Sequence, residues 1–260
     1  MEIFVLASGS KGNMTYVKND IKSFFVDAGI NLKSIESKMQ AYGEDISQVD
    51  TLLITHEHSD HIIGLKALLK KGFIKHVYLT KGTYQALSLD VKTLLPEKHI
   101  IKADVPFKLF DYDCLPIMLS HDANEPVGFR FDWNDKRFVY LTDTGYVDAS
   151  YMDVLKDADV YLLESNHDPK RLLDSRRPFQ LKQRILGMDG HLSNEDAALL
   201  INKLTKNKKA TWIVAHISEE CNHQFDIEKA IVDHVENLLN IQVVFASQEA
   251  LEGIKLWKLK

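Results

Sequence analysis

Short hydrophobic runs alternate with turn-forming segments along the first part of the chain. Ile3 to Ala7, Met14 to Lys18 and Ser23 to Ala28 have the character of strands, and glycine, serine, asparagine and aspartate lie between them. This pattern predicts an antiparallel start. A further apolar strand, Thr51 to Thr55, delivers a histidine-rich segment onto a loop.

The later patterns predict an alternation of strands and helices. Asn31 can cap a helix that runs to about Ala41, and helical spacing returns from Ile62 to Lys71, before Gly72. Strands are predicted at Val77 to Thr80, Asp113 to Leu119, Val127 to Trp133, Arg137 to Thr142, Asp159 to Leu163, Thr211 to Ala215, Ile241 to Phe245 and Gly253 to Trp257. Helices are predicted at Thr83 to Leu89, Ser150 to Lys156, Asn194 to Leu204 and Asp226 to Leu239, with a hairpin turn at Asn134-Asp135.

Neither a repeat nor a flexible linker divides the sequence. No Pro/Gly/Ser-rich or low-complexity stretch interrupts the 260 residues. The economical prediction is therefore one α/β domain over residues 1–260, built of stacked sheets with outer helices.

Charge and cysteine content narrow the class of protein. A formal net charge of −5 argues against a broadly basic surface, although it leaves room for a local basic patch. Cys114 and Cys221 lie far apart, which suggests neither a disulfide framework nor a thiolate zinc site. The start of the chain lacks the features of a signal peptide, so we expect a cytoplasmic protein without membrane contact.

The segment Thr55-His56-Glu57-His58-Ser59-Asp60-His61 is the strongest chemical signal in the sequence. His56 and His58 occupy alternating positions that point the same way at a strand end, whereas Asp60 and His61 follow one turn later. The pattern predicts two neighbouring divalent metal ions, zinc first, with manganese or iron as alternatives. A solvated loop with Ser59 or Asp60 as a helix cap would not explain three imidazoles.

The HxHxDH segment resembles the signature of the metallo-β-lactamase superfamily. One earlier segment and three later ones also resemble that family's motifs. They are Val26-Asp27-Ala28-Gly29, Ser120-His121-Asp122, Leu141-Thr142-Asp143-Thr144-Gly145 and Ala215-His216-Ile217-Ser218. The resemblance implies a four-layer αββα sandwich. Taken singly, His121 would be read as a surface histidine, His216 as a structural one and Asp143 as a turn former.

The resemblance also implies an assignment of ligands. One ion would be held by His56, His58 and His121, and the other by Asp60, His61 and His216. Asp143 would bridge the two ions, and Asp27 would support the ligands without binding metal. A hydroxide between the ions would attack the substrate, with Asp60 available to orient it.

Two further residues indicate which chemistry the fold supports. Glu164 and His191 resemble a pair that accompanies the metals in tRNA 3′-processing nucleases and RNase J-like nucleases. An imidazolium held by a carboxylate is a suitable acid for the leaving oxygen of a phosphodiester. The alternatives are a strand-end carboxylate for Glu164 and a residue near a helix start for His191.

A basic run separates Glu164 from His191 in the sequence. It contains the candidate phosphate contacts Arg171, Arg176, Arg177, Lys182 and Arg184. Such a run can line a path for a nucleic-acid backbone, although a solvated amphipathic segment would have the same composition.

The full set of motifs most resembles the WalJ (YycJ) subfamily of bacterial metallo-β-lactamase proteins, through stretches such as Ser8 to Asn13 and His216 to Asn222. This resemblance implies a 5′-to-3′ exonuclease whose partner is nucleic acid, DNA rather than RNA. The rival functions are a small-molecule phosphodiesterase or thioesterase, and a non-catalytic regulatory protein stabilised by metal.

Overall fold

The computed structural model describes residues 1–248, so the predicted strand Gly253 to Trp257 lies outside the described residues. The chain divides into two compact units. The first unit contains Met1–Phe110, Ala123–Val127 and the residues Ser247 and Gln248, and the second contains Asp111–Asp122 and Gly128–Ala246. The single-domain organisation stays a prediction.

The first unit is built on a mixed sheet in the order β1-β2-β3-β4-β5-β6. Its strands are β1 (Glu2–Ala7), β2 (Met14–Lys18), β3 (Ser23–Val26), β4 (Thr51–Leu53), β5 (His76–Thr80) and β6 (Glu97–Ile101), and β7 (Phe107–Leu109) ends this part of the chain. The first three strands are antiparallel and the last four pair in parallel, as the short turns and longer connections require.

Helices cover one face of this sheet. They are α1 (Leu32–Ala41), α2 (Ser59–Ile62), α3 (Leu65–Lys70), α4 (Lys81–Ala86) and α5 (Leu89–Lys92). Asn31 caps α1 by accepting a hydrogen bond from the Ser34 amide, which confirms the predicted helix start. Ile35 and Met39 of α1 are fully buried in one cluster with Leu52 of β4, so apolar burial fixes helix against sheet.

The second unit contains the sheet order β13-β12-β11-β10-β9-β8. Its strands are β8 (Tyr112–Met118), β9 (Val127–Trp133), β10 (Lys136–Leu141), β11 (Val160–Glu164), β12 (Ala210–Ala215) and β13 (Ile241–Phe245). β9 and β10 form the predicted hairpin, and β10 to β13 run parallel to one another. The carboxyl ends of β10, β11 and β12 therefore meet at one edge.

Five helices belong to the second unit: α6 (Met152–Leu155), α7 (Pro169–Asp174), α8 (Phe179–Leu186), α9 (Asn194–Leu204) and α10 (Gln224–His234). Ala197 and Ile201 of α9 and Ile227 of α10 are buried in one cluster with Trp212 of β12. Trp212 also donates its indole N–H to the Leu163 carbonyl at 3.0 Å, which satisfies the one polar atom of this side chain.

Some helix predictions were wrong in extent. The helix expected from Thr83 to Leu89 runs instead from Lys81 to Ala86, and α5 begins separately at Leu89. The helix expected from Ile62 to Lys71 is divided into α2 and α3, because the Gly64 N–H donates to the Ala28 carbonyl at 2.8 Å instead of to the preceding helical turn. The helix expected to reach Leu239 ends at His234. No helix within residues 1–248 is both long and apolar enough to cross a membrane.

Candidate metal centre

In the first unit, the predicted ligand loop begins just after β4. His56 and His61 are buried, whereas His58 is partly exposed. The ring centroid of His56 lies 4.7 Å from that of His58 and 4.1 Å from that of His61. Three imidazoles thus converge on one place, as the spacing of the motif predicted.

A buried carboxylate supports this loop from behind. Asp27 accepts a hydrogen bond from the Thr55 amide at 2.9 Å, and its other oxygen lies 2.8 Å from Nδ1 of His61. A carboxylate attracts the ring proton to Nδ1, which leaves the lone pair of the His61 imidazole on Nε2. The Asp27 backbone is left-handed, with φ of 62°, a conformation that aspartate tolerates better than most residues.

Asn13 is a site residue that sequence reasoning did not single out. Its side-chain amide donates to the Asp60 carboxylate at 3.2 Å and lies 3.1 Å from Nε2 of His61. Its backbone N–H also donates to the Asp60 carbonyl at 2.7 Å. The only signal was its place in the segment Ser8 to Asn13, one of the stretches that carries the family resemblance.

The motif that begins at Val26 ends in Gly29, which lies against the backbone of the ligand loop. A Cβ at this position would lie 1.7 Å from the Asp60 carbonyl oxygen, so no other residue permits this approach of the two backbones. The close approach fixes the ligand loop against the turn that carries Asp27.

In the second unit, candidate residues collect at the ends of parallel strands. Asp143 follows β10, Glu164 is the last residue of β11 and His216 follows β12. Asp143 and His216 have left-handed φ angles of 59° and 49°. A left-handed backbone is uncommon for residues other than glycine, and such conformations cluster at functional sites.

Asp143 lies between two predicted histidine ligands. Its Oδ1 atom is 3.4 Å from Nε2 of His216 and 3.8 Å from Nε2 of His121. The Nδ1 atom of His121 lies 3.2 Å from the Gly190 carbonyl oxygen, and that of His216 lies 3.4 Å from the Glu164 carboxylate. Nδ1 of His216 also lies 3.1 Å from the side-chain nitrogen of Asn166, and both rings turn Nε2 towards Asp143.

These donors fit divalent metal ions. Two ligands of a tetrahedral zinc ion, each about 2.1 Å from it, are about 3.4 Å apart, close to the separations of Asp143 from His216 and His121. Neutral imidazoles with an Nε2 lone pair and an acidic partner on Nδ1 are the form in which histidine binds metal. Nitrogen and oxygen donors of this kind suit zinc, iron or manganese alike.

Glu164 and His191 form a hydrogen-bonded pair. Nδ1 of His191 lies 3.0 Å from the Glu164 carboxylate, which also accepts a hydrogen bond from the Thr144 amide at 2.7 Å. Burial alone would raise the pKa of Glu164, but the His191 and His216 imidazoles lower this pKa to about 2. The carboxylate is therefore ionised, and it orients the His191 ring so that Nε2 points away from it.

The segment that follows α8 is attached to the His121 loop. The guanidinium of Arg184 forms an ion pair with Asp122, at 2.9 Å from Nη2 to Oδ1, beside the contact between His121 and Gly190. A Cβ on Gly145 would lie 2.0 Å from the Met188 carbonyl oxygen, so the turn that contains Asp143 packs closely against the backbone that follows α8. These contacts bring the basic helix α8 next to a predicted metal ligand.

The structure gives most of the predicted phosphate contacts an internal partner. Arg171 forms an ion pair with Asp226, and Nε of Arg177 lies 2.9 Å from the Glu220 carboxylate. Arg184 pairs with Asp122, and the Lys182 ammonium donates to backbone carbonyls. Only Arg176 among the five forms no ion pair or hydrogen bond with another of residues 1–248. Their role towards a nucleic acid stays a prediction.

Comparisons with known proteins agree with this geometry. The family described as "Beta-lactamase superfamily domain" matches residues 22–217. Exodeoxyribonuclease WalJ of Streptococcus pneumoniae serotype 2 is 39% identical over 221 residues, covering 84% of this chain and 82% of WalJ. Exodeoxyribonuclease YycJ of Bacillus anthracis is 38% identical over 219 residues, covering 84% of this chain and 83% of YycJ.

Solved structures share the fold. The metallo-β-lactamase fold protein YhfI from Bacillus subtilis superposes with a TM-score of 0.72 at 16% identity, over 95% of this chain and 96% of YhfI. A diphosphatase from the PhnP family gives a TM-score of 0.67 at 19% identity, over 95% and 94%. These likenesses confirm the predicted α/β fold class. The chain therefore belongs to the metallo-β-lactamase superfamily and, within it, to the family that includes WalJ and YycJ.

Proposed function

We propose that this protein is a metal-dependent exonuclease that removes nucleotides from the 5′ end of DNA in the cytoplasm. The observation that carries the proposal is the similarity to proteins named exodeoxyribonucleases, at 38–39% identity over 84% of the chain. The Glu164–His191 pair beside Asp143 supports it, because phosphodiester cleavage needs an acid for the leaving oxygen.

The proposed metal ligands divide into two sets. His56, His58 and His121 would hold one divalent ion, and Asp60, His61 and His216 would hold the other. The ring centroids of His56 and His58 lie 4.7 Å apart, which supports their assignment to the same ion. Zinc is the proposed ion. Manganese and iron are alternatives, because nitrogen and oxygen donors without a thiolate do not discriminate sharply among these metals.

Asp143 is the proposed bridge between the ions. Its Oδ1 atom lies within 3.8 Å of His121 and within 3.4 Å of His216, the two histidines assigned to different ions. A carboxylate in this position would be shared by both ions. Two divalent ions, when bound, supply positive charge for the transition state and lower the pKa of bound water towards neutrality.

The chain's own residues then handle the proton and the orientation of the groups. Asp60, whose carboxylate accepts from Asn13, would orient the attacking oxygen. The imidazolium of His191 donates its Nε2 proton to the 3′-oxygen as the bond from phosphorus to that oxygen breaks, while Glu164 stabilises the positive ring. Both catalytic steps depend on side chains fixed by partly buried hydrogen bonds.

A small phosphodiester is the rival substrate. The observation in its favour is that Arg171, Arg177 and Arg184 already have carboxylate partners, which reduces the local positive charge available to a long nucleic acid. This rival predicts rapid turnover of small esters and slow release of nucleotides from DNA.

The deciding experiment compares substrates with one enzyme preparation. Zinc- and manganese-loaded protein is incubated with end-labelled single- and double-stranded DNA, with RNA of the same sequence and with bis(p-nitrophenyl) phosphate. The proposal predicts stepwise release of nucleotides from the 5′ end of DNA. Preference for the small ester, or for RNA, would overturn it.

A further inference from the structure

A second group of metal-binding side chains lies at the opposite end of the first unit's parallel strands. His76 is the first residue of β5 and Glu97 the first of β6, whereas the HxHxDH loop follows the carboxyl end of β4. The parallel register pairs His76 with Glu97 and Tyr78 with His99. Because alternate residues of a strand share a face, His76, Glu97 and His99 project from the same face.

Their donor atoms converge closely. Nδ1 of His76 is 3.2 Å from Nε2 of His99 and 3.3 Å from one oxygen of Glu97. Nε2 of His99 is 3.6 Å from the other oxygen of the same carboxylate. Separations of this size are those of ligands that share one ion, about 3.4 Å for a tetrahedral centre.

Hydrogen bonds among the three groups do not account for the arrangement. Each nitrogen of a neutral imidazole is either a donor or an acceptor of hydrogen bonds. Nδ1 of His76 carries one proton at most, so it can donate only one ordinary hydrogen bond. It nevertheless faces both Nε2 of His99 and an oxygen of Glu97 at similar distances. A cation among the three atoms would satisfy all of them at once.

The surroundings fix the ligands without closing the site. The His99 ring stacks on Tyr78 at 4.3 Å between centroids, and Tyr78 stacks in turn on Phe107 at 5.3 Å. Lys98 lies over the Tyr84 ring, and it therefore does not neutralise Glu97. The side chains of His76 and His99 remain about a third exposed, at 37% and 31%, so an ion from solution has access.

We propose that His76, Glu97 and His99 bind one transition-metal ion of the zinc, copper or nickel class, with solvent in the remaining coordination position. Two imidazoles and one carboxylate with an open position suit these ions better than magnesium or calcium. The ion would join the edge strand β6 to β5, and its binding does not depend on the proposed DNA substrate.

Zinc alone is the probe for the test. Wild-type protein and the variants Glu97→Gln and His76→Asn are dialysed against rising zinc concentrations, and bound zinc is counted per chain. Both variants are expected to bind one equivalent fewer than wild type and to keep wild-type exonuclease activity at low zinc. Glu97 is 65% exposed, so its substitution leaves the packing intact.

The control variants separate this site from the other metal ligands. His234→Asn changes a histidine that lies 3.9 Å from a single carboxylate oxygen of Glu195, and it is expected to bind as much zinc as wild type. His58→Ala is expected to lose zinc from the HxHxDH loop and to retain the additional equivalent. Equal zinc binding by wild type and both site variants would overturn the proposal.

Discussion

The two units present their candidate ligands in different ways. The first unit takes its ligands from one continuous loop, which Asp27 holds from behind through Thr55 and His61. The second unit brings Asp143 and His216 together from separate strand ends, each with a left-handed backbone. Supporting hydrogen bonds therefore determine the geometry of the first group, whereas strand register and turn conformation determine that of the second.

The two groups of candidate ligands should differ in how they respond to substitution. A loop with four candidate ligands can lose a supporting hydrogen bond and still bind metal weakly. Asp143, in contrast, serves two imidazoles with one carboxylate, so its loss affects both proposed ions. Substitutions in the second unit should therefore be more damaging than substitutions behind the loop.

The largest effect is expected from Asp143→Asn. Asparagine tolerates the left-handed backbone but removes the bridging charge, so we expect loss of bound metal and a fall in exonuclease rate of about 10³-fold or more. Metal analysis and the labelled-DNA assay measure the two effects. Asp104→Asn is the matched control, because Asp104 is an exposed aspartate with φ of 63°. Equal losses in both variants would contradict a bridging role.

His191→Ala should act on rate without removing metal. Removal of the acid from the pair with Glu164 is expected to lower kcat by roughly 10²- to 10⁴-fold. Bound zinc should stay at the wild-type level, which separates this variant from Asp143→Asn. His234→Ala is the control for loss of a surface histidine, and a His191→Ala enzyme with the wild-type rate would remove this residue from the mechanism.

Asp27→Asn should weaken the first unit's site to a smaller degree. The amide keeps the left-handed conformation, but its neutral oxygen attracts the Nδ1 proton of His61 less strongly than the carboxylate, so we expect zinc affinity to fall by roughly 10- to 100-fold. Competition with a chromophoric chelator measures this affinity. Unchanged affinity would mean that the carboxylate supports folding alone.

The smallest effect concerns the basic run. Arg176→Ala should weaken DNA binding and reduce the slope of log K against log salt by about 1, as expected for one phosphate contact. Arg177→Ala should change binding less, because Glu220 already holds that guanidinium. Fluorescence anisotropy measures DNA binding by both variants in the His191→Ala background, in which cleavage is slow. A larger loss of binding in Arg177→Ala than in Arg176→Ala would assign the phosphate contact to Arg177 instead.

Sequence reasoning found the first group of ligands because all its members are neighbours in the chain. Strands β2, β9, β13 and the helix α9 were also predicted within the observed bounds, since their hydrophobic periods and caps are local. The residues of the second unit's group are far apart in sequence, and only the family's motif order pointed to them. Their meeting depends on the parallel register of β10, β11 and β12.

Other features depended on tertiary structure that no local pattern reports. Strand β6 begins with Glu97, Lys98 and His99 and lies at the end of the strand order, so it lacks the apolar alternation of a buried strand. Asn13 resembled an ordinary turn residue until its amide met Asp60. The basic run contains the helices α7 and α8, and its carboxylate partners come from distant segments.

The most direct test of the central claim is a single time course. Zinc- or manganese-loaded wild-type protein and Asp143→Asn are incubated with 5′-labelled and internally labelled single-stranded DNA, and the released nucleotides are resolved by length. We expect wild type to release nucleotides successively from the 5′ end and the variant to release almost none. No release by wild type with either metal, or equal release by both proteins, would contradict the account.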